Sequence, residues 1–305
     1  MGTNVNLNNG TLWLDTDGNP IHAHGGYIIR YDGFFYWYGE NRLDNIYISC
    51  YRSTDLLNWE FRNNIITTES KTESIRVRTD IKLMNDGGKV NLERPKVLYN
   101  ELTNKFVLWV HYENGKDYSS AGCAIATCDT PDGDFTYHGA FNPYGYMSRD
   151  CTLFLDDDGQ AYFISAARDN ADLHIYRLTA DFMNVDKHVN TLWQGEYREA
   201  PAVFKYDGVY YMLSSYCTGW APNQGKYARG TAIDSDWDIL ELFGDETTFD
   251  TQPAFVLPYE GQYLYFSDRW GGGGDTYFTS SYVVIPIKFN QNGTIFIEYD
   301  DIFKA

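Results

Sequence analysis

Polar and apolar positions along this chain follow one pattern four times over. A polar residue opens a short β-rich run, the run ends at a turn containing glycine, and an aromatic run follows. The first copy is His24-Gly25-Gly26-Tyr27-Ile28-Ile29-Arg30-Tyr31-Asp32-Gly33, continued by Phe34-Phe35-Tyr36-Trp37-Tyr38. The second runs from Asp150 through Asp158-Gly159 to Ile164, the third from Glu199 through Asp207-Gly208 to Leu213, and the fourth from Gln252 through Glu260-Gly261 to Phe266. In all four the polar residue lies nine positions before the turn glycine. A fifth copy opens at Glu93, but its turn, Asn100 to Lys105, is longer and lacks the glycine. β-branched and aromatic residues suit a pleated strand, and glycine supplies a positive φ at low cost. Each copy is therefore predicted to be a β-hairpin.

Each interval between hairpins leaves room for two more strands, and amphipathic helical stretches are hard to find. Five four-stranded units that each expose an apolar face are expected to pack in a ring. The fold expected is all-β, a five-bladed β-propeller, with residues 1–305 as one domain. In a propeller the innermost strand of each blade starts near the axis. His24, Glu93, Asp150, Glu199 and Gln252 are thus predicted to meet in one pocket. A polar residue at a single strand start needs no such explanation, since it can satisfy an exposed strand end. Three carboxylates at equivalent starts do, because buried acids at one focus repel each other and are costly unless paired or used.

Composition narrows the partner. The chain carries 24 basic and 42 acidic residues, a net charge of -18, which repels phosphate backbones and argues against nucleic acid. With 43% hydrophobic and 17% aromatic residues it is no disordered chain. No apolar run approaches the roughly 20 residues of a membrane span. The N-terminus has no basic segment followed by an apolar one, so no signal peptide is expected there. Location stays open between a secreted or periplasmic protein whose signal has been removed and a cytoplasmic one. Five cysteines, with no C-x-x-C pair, are expected to be buried free thiols.

Several chemistries find no support. Gly271 to Gly274 is followed by no Lys-Ser/Thr and reads as a loop. His22-Ala23-His24 would put two imidazoles on one strand face, but no third ligand lies nearby in sequence, so no metal site is assigned. Asp156-Asp157-Asp158-Gly159 imitates part of a calcium loop without the downstream Glu, and reads as a hairpin turn. Ser53 to Glu60 reads as a structural turn at a blade edge. No Gly-x-Ser-x-Gly elbow exists. A funnel with acids and aromatics suits a neutral sugar. Glycoside cleavage needs one protonated acid on the leaving oxygen and a second group acting on the opposite face. A neighbouring carboxylate helps the acid keep its proton.

At these residues the chain resembles glycoside hydrolase family 43, a family of inverting enzymes with a five-bladed β-propeller. The resemblance runs from about Leu12 to Ile287 and is closest to the exo-β-1,3-galactanase branch. It is carried by Asp15-Thr16-Asp17-Gly18-Asn19, Ala23-His24-Gly25-Gly26, Tyr36-Trp37-Tyr38-Gly39-Glu40, Glu93-Arg94-Pro95-Lys96-Val97, Ser148-Arg149-Asp150, Arg198-Glu199-Ala200-Pro201, Thr218-Gly219-Trp220-Ala221-Pro222-Asn223 and Ser267-Asp268-Arg269-Trp270. The resemblance implies Glu199 as general acid and Asp150 as the residue that modulates its pKa. Where most of the family has an Asp base, this chain has His24-Gly25. In the galactanase branch, the resemblance implies, a Gln that matches Gln252 holds the attacking water, through its imidic acid tautomer. Thr251, Pro253 and Ala254 depart from the branch's usual Ser-Gln-Ser-Thr-Phe-Val, as do Gly271 to Gly274 and Asp275-Thr276-Tyr277 from its usual pattern.

The catalytic candidates are thus Glu199, Asp150, Glu93 and Gln252, with Glu93 contacting the sugar or orienting the water. Competing roles are ion pairs of Glu199 with Arg198, Asp150 with Arg149, and Glu93 with Arg94 or Lys96. His24 could instead be the base, since imidazole titrates near neutrality, or it serves structure. Substrate-binding candidates are His24, Glu40, Tyr118, Asp169, Asn170, Thr218, Trp220 and Arg269, with Trp220 and Tyr118 as stacking platforms. No cofactor is expected to be required, and the resemblance allows a structural ion in the central channel. The expected partner is a plant cell-wall oligo- or polysaccharide, and the expected state a monomer. The reaction expected is release of galactose from β-1,3-galactan. An α-L-arabinofuranosidase or related exo-glycosidase, and a catalytically inactive sugar-binding propeller, are the alternatives.

Overall fold

A computed structural model describes residues 6–43, 47–76, 79–85, 88–271 and 279–304. Residues 272–274 of the glycine run and the Asp275-Thr276-Tyr277 stretch lie outside the described residues. Four antiparallel sheets have four strands each. Blade 1 is His24–Tyr31, Phe34–Glu40, Ile48–Ser53 and Glu60–Ile66; blade 2 is Asn91–Asn100, Lys105–Glu113, Gly122–Cys128 and Thr136–Phe141. Blade 3 is Cys151–Leu155, Ala161–Ala167, Asp172–Leu178 and Val185–Leu192; blade 4 is Arg198–Tyr206, Val209–Tyr216, Gly225–Gly230 and Glu241–Phe243. Blade 5 differs from the expected four strands: its sheet has three, Gln252–Tyr259, Gln262–Arg269 and Ser281–Pro286. The inner strands touch in sequence order and the last touches the first, so the five blades close a ring.

The missing edge strand of blade 5 has a substitute. The side-chain amide of Asn9 accepts from the Val284 N–H at 2.8 Å and donates to the Val284 carbonyl at 3.0 Å, as a paired strand would. Gly10 N–H donates to Tyr282 O at 2.8 Å, and Leu7–Asn8 pairs with Ile302–Phe303. The two ends of the chain are thereby joined at the outer side of the last blade. Helix is confined to one short turn, Pro143–Gly145, among the described residues. Among the described residues no helix is long and apolar enough to cross a membrane.

Aromatic runs explain the ring. Strands alternate faces, so a blade with apolar side chains on both faces must be covered on both. Apolar clusters fill all five gaps. Tyr38, Ile48, Phe106 and Val110 pack between blades 1 and 2, and Trp109, Ile125 and Phe163 between blades 2 and 3. Ile164, Ile175, Tyr210 and Met212 pack between blades 3 and 4, Phe204, Tyr211, Tyr265 and Ile285 between blades 4 and 5, and Trp13, Trp37, Phe255 and Phe266 between blades 5 and 1. The hairpin turns take the form their residues favour. Asp32-Gly33 and Asp207-Gly208 have positive φ at both positions, which matches the right-handed twist of the flanking strands. In blade 2, Asn104 takes the positive φ that glycine takes elsewhere.

Smaller expectations resolve in the same way. The five cysteines are free thiols; Cys50, Cys123 and Cys151 are buried, but Cys128 and Cys217 are only half-buried. Asp156–Gly159 is a hairpin turn whose charge is met by Lys205, 2.9 Å from Asp156 and 2.8 Å from Asp157. In the Ser53–Glu60 turn, Asp55 Oδ1 accepts from the Leu57 and Asn58 N–H groups.

One backbone device aims the blades at the axis. In blades 1, 2 and 4 the ladder slips just after the first polar residue, between His24 and Tyr27, Glu93 and Lys96, and Glu199 and Ala202. The next residue in each, Gly25, Arg94 or Ala200, has φ between 52° and 56°. Such a bulge bends the strand and re-aims the side chain beside it. At Gly25 a Cβ would lie 2.6 Å from Glu40 Oε1 and 3.3 Å from the Arg94 Cα, so any larger residue would displace the Glu40 carboxylate.

Candidate active site

The inner ends of the blades surround a cavity of about 250 Å³. Glu93, Asp150, Glu199 and Gln252 all reach it, from blades 2, 3, 4 and 5. Blade 1 contributes Glu40 and Arg42 from the end of its second strand instead of His24. Tyr118, Gly219, Trp220 and Trp270 complete the rim. A second cavity of about 250 Å³ adjoins it, sharing Gly219, Trp220, Gln252 and Trp270, and is bordered by Asp250 and Arg269.

Arg94 closes the floor. Its guanidinium donates to Asp150 Oδ2 at 2.8 Å, to Pro253 O at 2.9 Å and to Gln252 Oε1. Its backbone N–H donates to Glu40 Oε1 at 2.8 Å. Only 3% exposed, it neutralises part of the acid cluster that would otherwise repel itself. The Asp150 carboxylate is therefore paired with Arg94, not with Arg149, whose Nη2 donates to Tyr118 O. Arg198 turns away from Glu199 and donates to the Ser214 side chain and carbonyl. Glu93 accepts from the Tyr118 hydroxyl at 2.7 Å and lies 3.2 Å from His111 Nδ1. Lys96 is buried and donates to Gly25 O.

Glu199 is held by two amides. Its Oε1 accepts from Gln252 Nε2 at 3.0 Å and its Oε2 from Asn170 Nδ2 at 3.2 Å. Burial, then the charge of Asp150, push its pKa up to about 7. Glu40 is also pushed up to about 7, by burial and then by the charge of Glu93. Glu93 goes the other way: burial raises it, but the His111 contact and the Tyr118 bond outweigh burial, and the net shift is downward. The site therefore separates a carboxyl that keeps its proton near neutrality from one that stays ionised, as acid–base chemistry requires.

Gln252 has no freedom to flip. Its Nε2 donates to Glu199 and, at 2.9 Å, to Ser215 Oγ. Its Oε1 accepts from Arg94 Nη2 and, at 2.8 Å, from Trp270 Nε1. Arginine and indole N–H groups are donors only, so the oxygen must face them. An imidic acid hydroxyl at Oε1 would find no acceptor in this arrangement.

His24, Asp169, Asn170, Thr218 and Arg269 fall outside the cavity. His24 is fully buried; its Nδ1 lies 3.0 Å from Asp268 Oδ1 and its ring stacks on Tyr282 at 4.6 Å. Burial pushes its pKa down. Asp169 is exposed on the turn after Ala161–Ala167, while Asn170 is half-buried and turns back to Glu199. Thr218 is exposed, and its hydroxyl donates to Ala221 O and accepts from Asn223, which secures a loop. Arg269 borders the second cavity and donates to Phe249 O. Trp220 and Tyr118 line the cavity and are 45% and 44% exposed.

Four residues escaped sequence reading: Arg42, Arg94, His111 and Trp270. Arg94 and Trp270 sit one position after residues that the repeats or motifs pointed to, and a one-residue step along a strand reverses the face. Arg42 lies in the turn just past the strand end at Glu40, where the strand period no longer tells which way a side chain points. Its guanidinium lies 5.0 and 4.8 Å from the rings of Trp220 and Trp270.

Glu93, His111 and Asp150 each offer a ligand atom within 4.8 Å of the others, a spacing that suits a cation. The same atoms are already used within the protein, Glu93 against His111 and Asp150 against Arg94, so the group reads as an ion-pair network.

An all-β ring whose cavity holds one carboxyl raised towards neutrality and another held ionised has the acid and base of a glycoside-cleaving enzyme. Comparison with known proteins agrees. The model of glycosyl hydrolases family 43 matches residues 18–240, and the chain belongs to that family. An exo-β-1,3-galactanase from Clostridium thermocellum is 42% identical, with a TM-score of 0.90, over 99% of this chain and 67% of that one. An exo-β-1,3-galactanase variant from Phanerochaete chrysosporium, solved with β-1,3-galactotriose, is 32% identical, with a TM-score of 0.88, over 99% and 68%. A family 43 β-1,3-galactosidase solved with galactodeoxynojirimycin is 31% identical, with a TM-score of 0.86, over 98% and 100%. No curated protein matches the chain.

Proposed function

We propose that this protein is an inverting exo-glycosidase that releases galactose from the chain ends of β-1,3-galactan, the backbone of plant arabinogalactan. The observation that carries the proposal is Glu199: a half-buried carboxyl raised to about 7, in a cavity whose floor Arg94 closes. The three galactan- and galactoside-cleaving relatives, similar over nearly the whole chain, support the choice of sugar.

In this reading Glu199 gives its proton to the glycosidic oxygen as the C1–O bond breaks. Asp150 raises the Glu199 pKa through its charge. Water adds to C1 from the opposite face, and its proton passes to Glu93, a cavity carboxylate held ionised. Gln252, whose two N–H groups and carbonyl oxygen are all engaged within the protein, holds Glu199 in place. Trp220 and Tyr118 offer faces to the sugar rings, and Glu40 accepts from a hydroxyl.

Incubation with β-1,3-galactan, an aryl β-galactoside and an aryl α-arabinofuranoside, followed by sugar chromatography, tests the proposal. Galactose from the first is expected. Arabinose release alone would replace the substrate, and binding without release of any sugar would mark a sugar-binding propeller.

A further inference from the structure

Behind Glu93 lies a chain of charged groups that does not reach the cavity. His111 stands opposite Glu93 across the blade 2 ladder, and Glu113 follows two positions later on the same strand face. His111 Nδ1 is 3.2 Å from Glu93 Oε2, and His111 Nε2 is 2.9 Å from Glu113 Oε1. His111 is 1% exposed and Glu113 0%. A neutral imidazole carries one N–H, so its other nitrogen would turn a lone pair on a carboxylate oxygen. With carboxylates at both nitrogens, the arrangement calls for both to be protonated.

We propose that His111 and Glu113 are positioning residues: a buried imidazolium between two carboxylates that keeps Glu93 ionised and fixes how it faces the cavity. The proposal rests on the reading of Glu93 as the proton acceptor. Glu113 anchors the far end. Its Oε2 accepts the Ala121 N–H at 2.9 Å, and Arg149 Nε lies 3.9 Å from its other oxygen. Tyr118 anchors the near end through its bond to Glu93 Oε1. The other charges around the chain are Asp150, which adds to the field on His111, and Glu40 and Arg94, which flank Glu93. Burial lowers the His111 pKa, but the bond to Glu113 and the nearby Glu93 carboxylate more than reverse this and bring it up to about 10.

The test has two parts. In nitrogen-15 histidine spectra of the wild-type protein, the signals lost in His111→Gln should stay doubly protonated at pH 8. Titration near the ordinary histidine value, about 6.5, would overturn the proposal even if no variant folds. In Glu113→Gln, which leaves every cavity residue in place, the His111 midpoint should fall. The acid limb of kcat/KM should then move up by about one pH unit, since removing an opposite charge frees the pKa of its partner. kcat should fall by up to about 10²-fold, the cost of a misplaced catalytic group, with KM little changed. A folded Glu113→Gln protein with the wild-type acid limb refutes the relay. Full activity in Glu93→Gln would instead remove the assignment of Glu93 and leave the charge on His111 to be judged by its spectrum.

Discussion

Blades 1 and 4 open on the same plan and put their first residues to opposite uses. His24 and Glu199 each precede a bulge, and each lies nine positions before its turn glycine. Yet Glu199 faces the cavity, whereas His24 turns behind it to Asp268 and Tyr282. The Asp268 carboxylate also accepts the Gly25 N–H at 2.9 Å, so it ties the start of blade 1 to blade 5 and draws the imidazole away from the axis. Glu40, directly opposite His24 in the ladder, takes the place left at the cavity. A repeat therefore assigns a residue to a position, while its neighbours decide whether that position serves chemistry or ring closure.

The sharpest test of this contrast is Glu199→Gln. Turnover on β-1,3-galactan should fall by about 10²–10⁴-fold, the usual contribution of a general acid, with the melting temperature nearly unchanged. His24→Ala should do the reverse. Asp268 loses a buried hydrogen-bond partner, at a cost of about 1–3 kcal/mol, which calorimetry would read as a lower melting temperature with turnover largely kept. A His24→Ala protein of normal stability and no activity would break the comparison.

The pH profile probes the same site more gently. Only protonated Glu199 can act as acid, so kcat/KM should fall as pH rises through about 7. Asp150 contributes to that raised value, so Asp150→Asn should move the basic limb to lower pH. The smallest effect is expected at Trp220→Ala. Loss of a half-exposed stacking face, worth about 0.5–1.5 kcal/mol, should raise KM for galactan about 2–10-fold and leave kcat on an aryl galactoside almost unchanged.

How far these outcomes could be foreseen differs by residue. Glu93, Asp150, Glu199 and Gln252 were legible because repetition places equivalent residues at one end of a ring, and all four do meet there. His24 was legible as a strand start, but its direction was not, since it depends on Asp268, 244 residues away. Arg94 and Trp270 were hidden by the bulges and loop ends that turn a neighbouring residue to the axis. The fourth strand expected in blade 5 is replaced by Asn9, whose amide mimics a backbone pair in a way no strand pattern encodes.

Local pattern by itself determined the hairpins, their number and the ring, because aromatic strands with two apolar faces can be covered only by neighbours like themselves. It also determined which acids stand at the strand starts. Tertiary structure alone decided their protonation, because a pKa answers to burial and to charges brought from other blades. Asp150 beside Glu199 and His111 beside Glu93 give two similar carboxyls opposite tendencies.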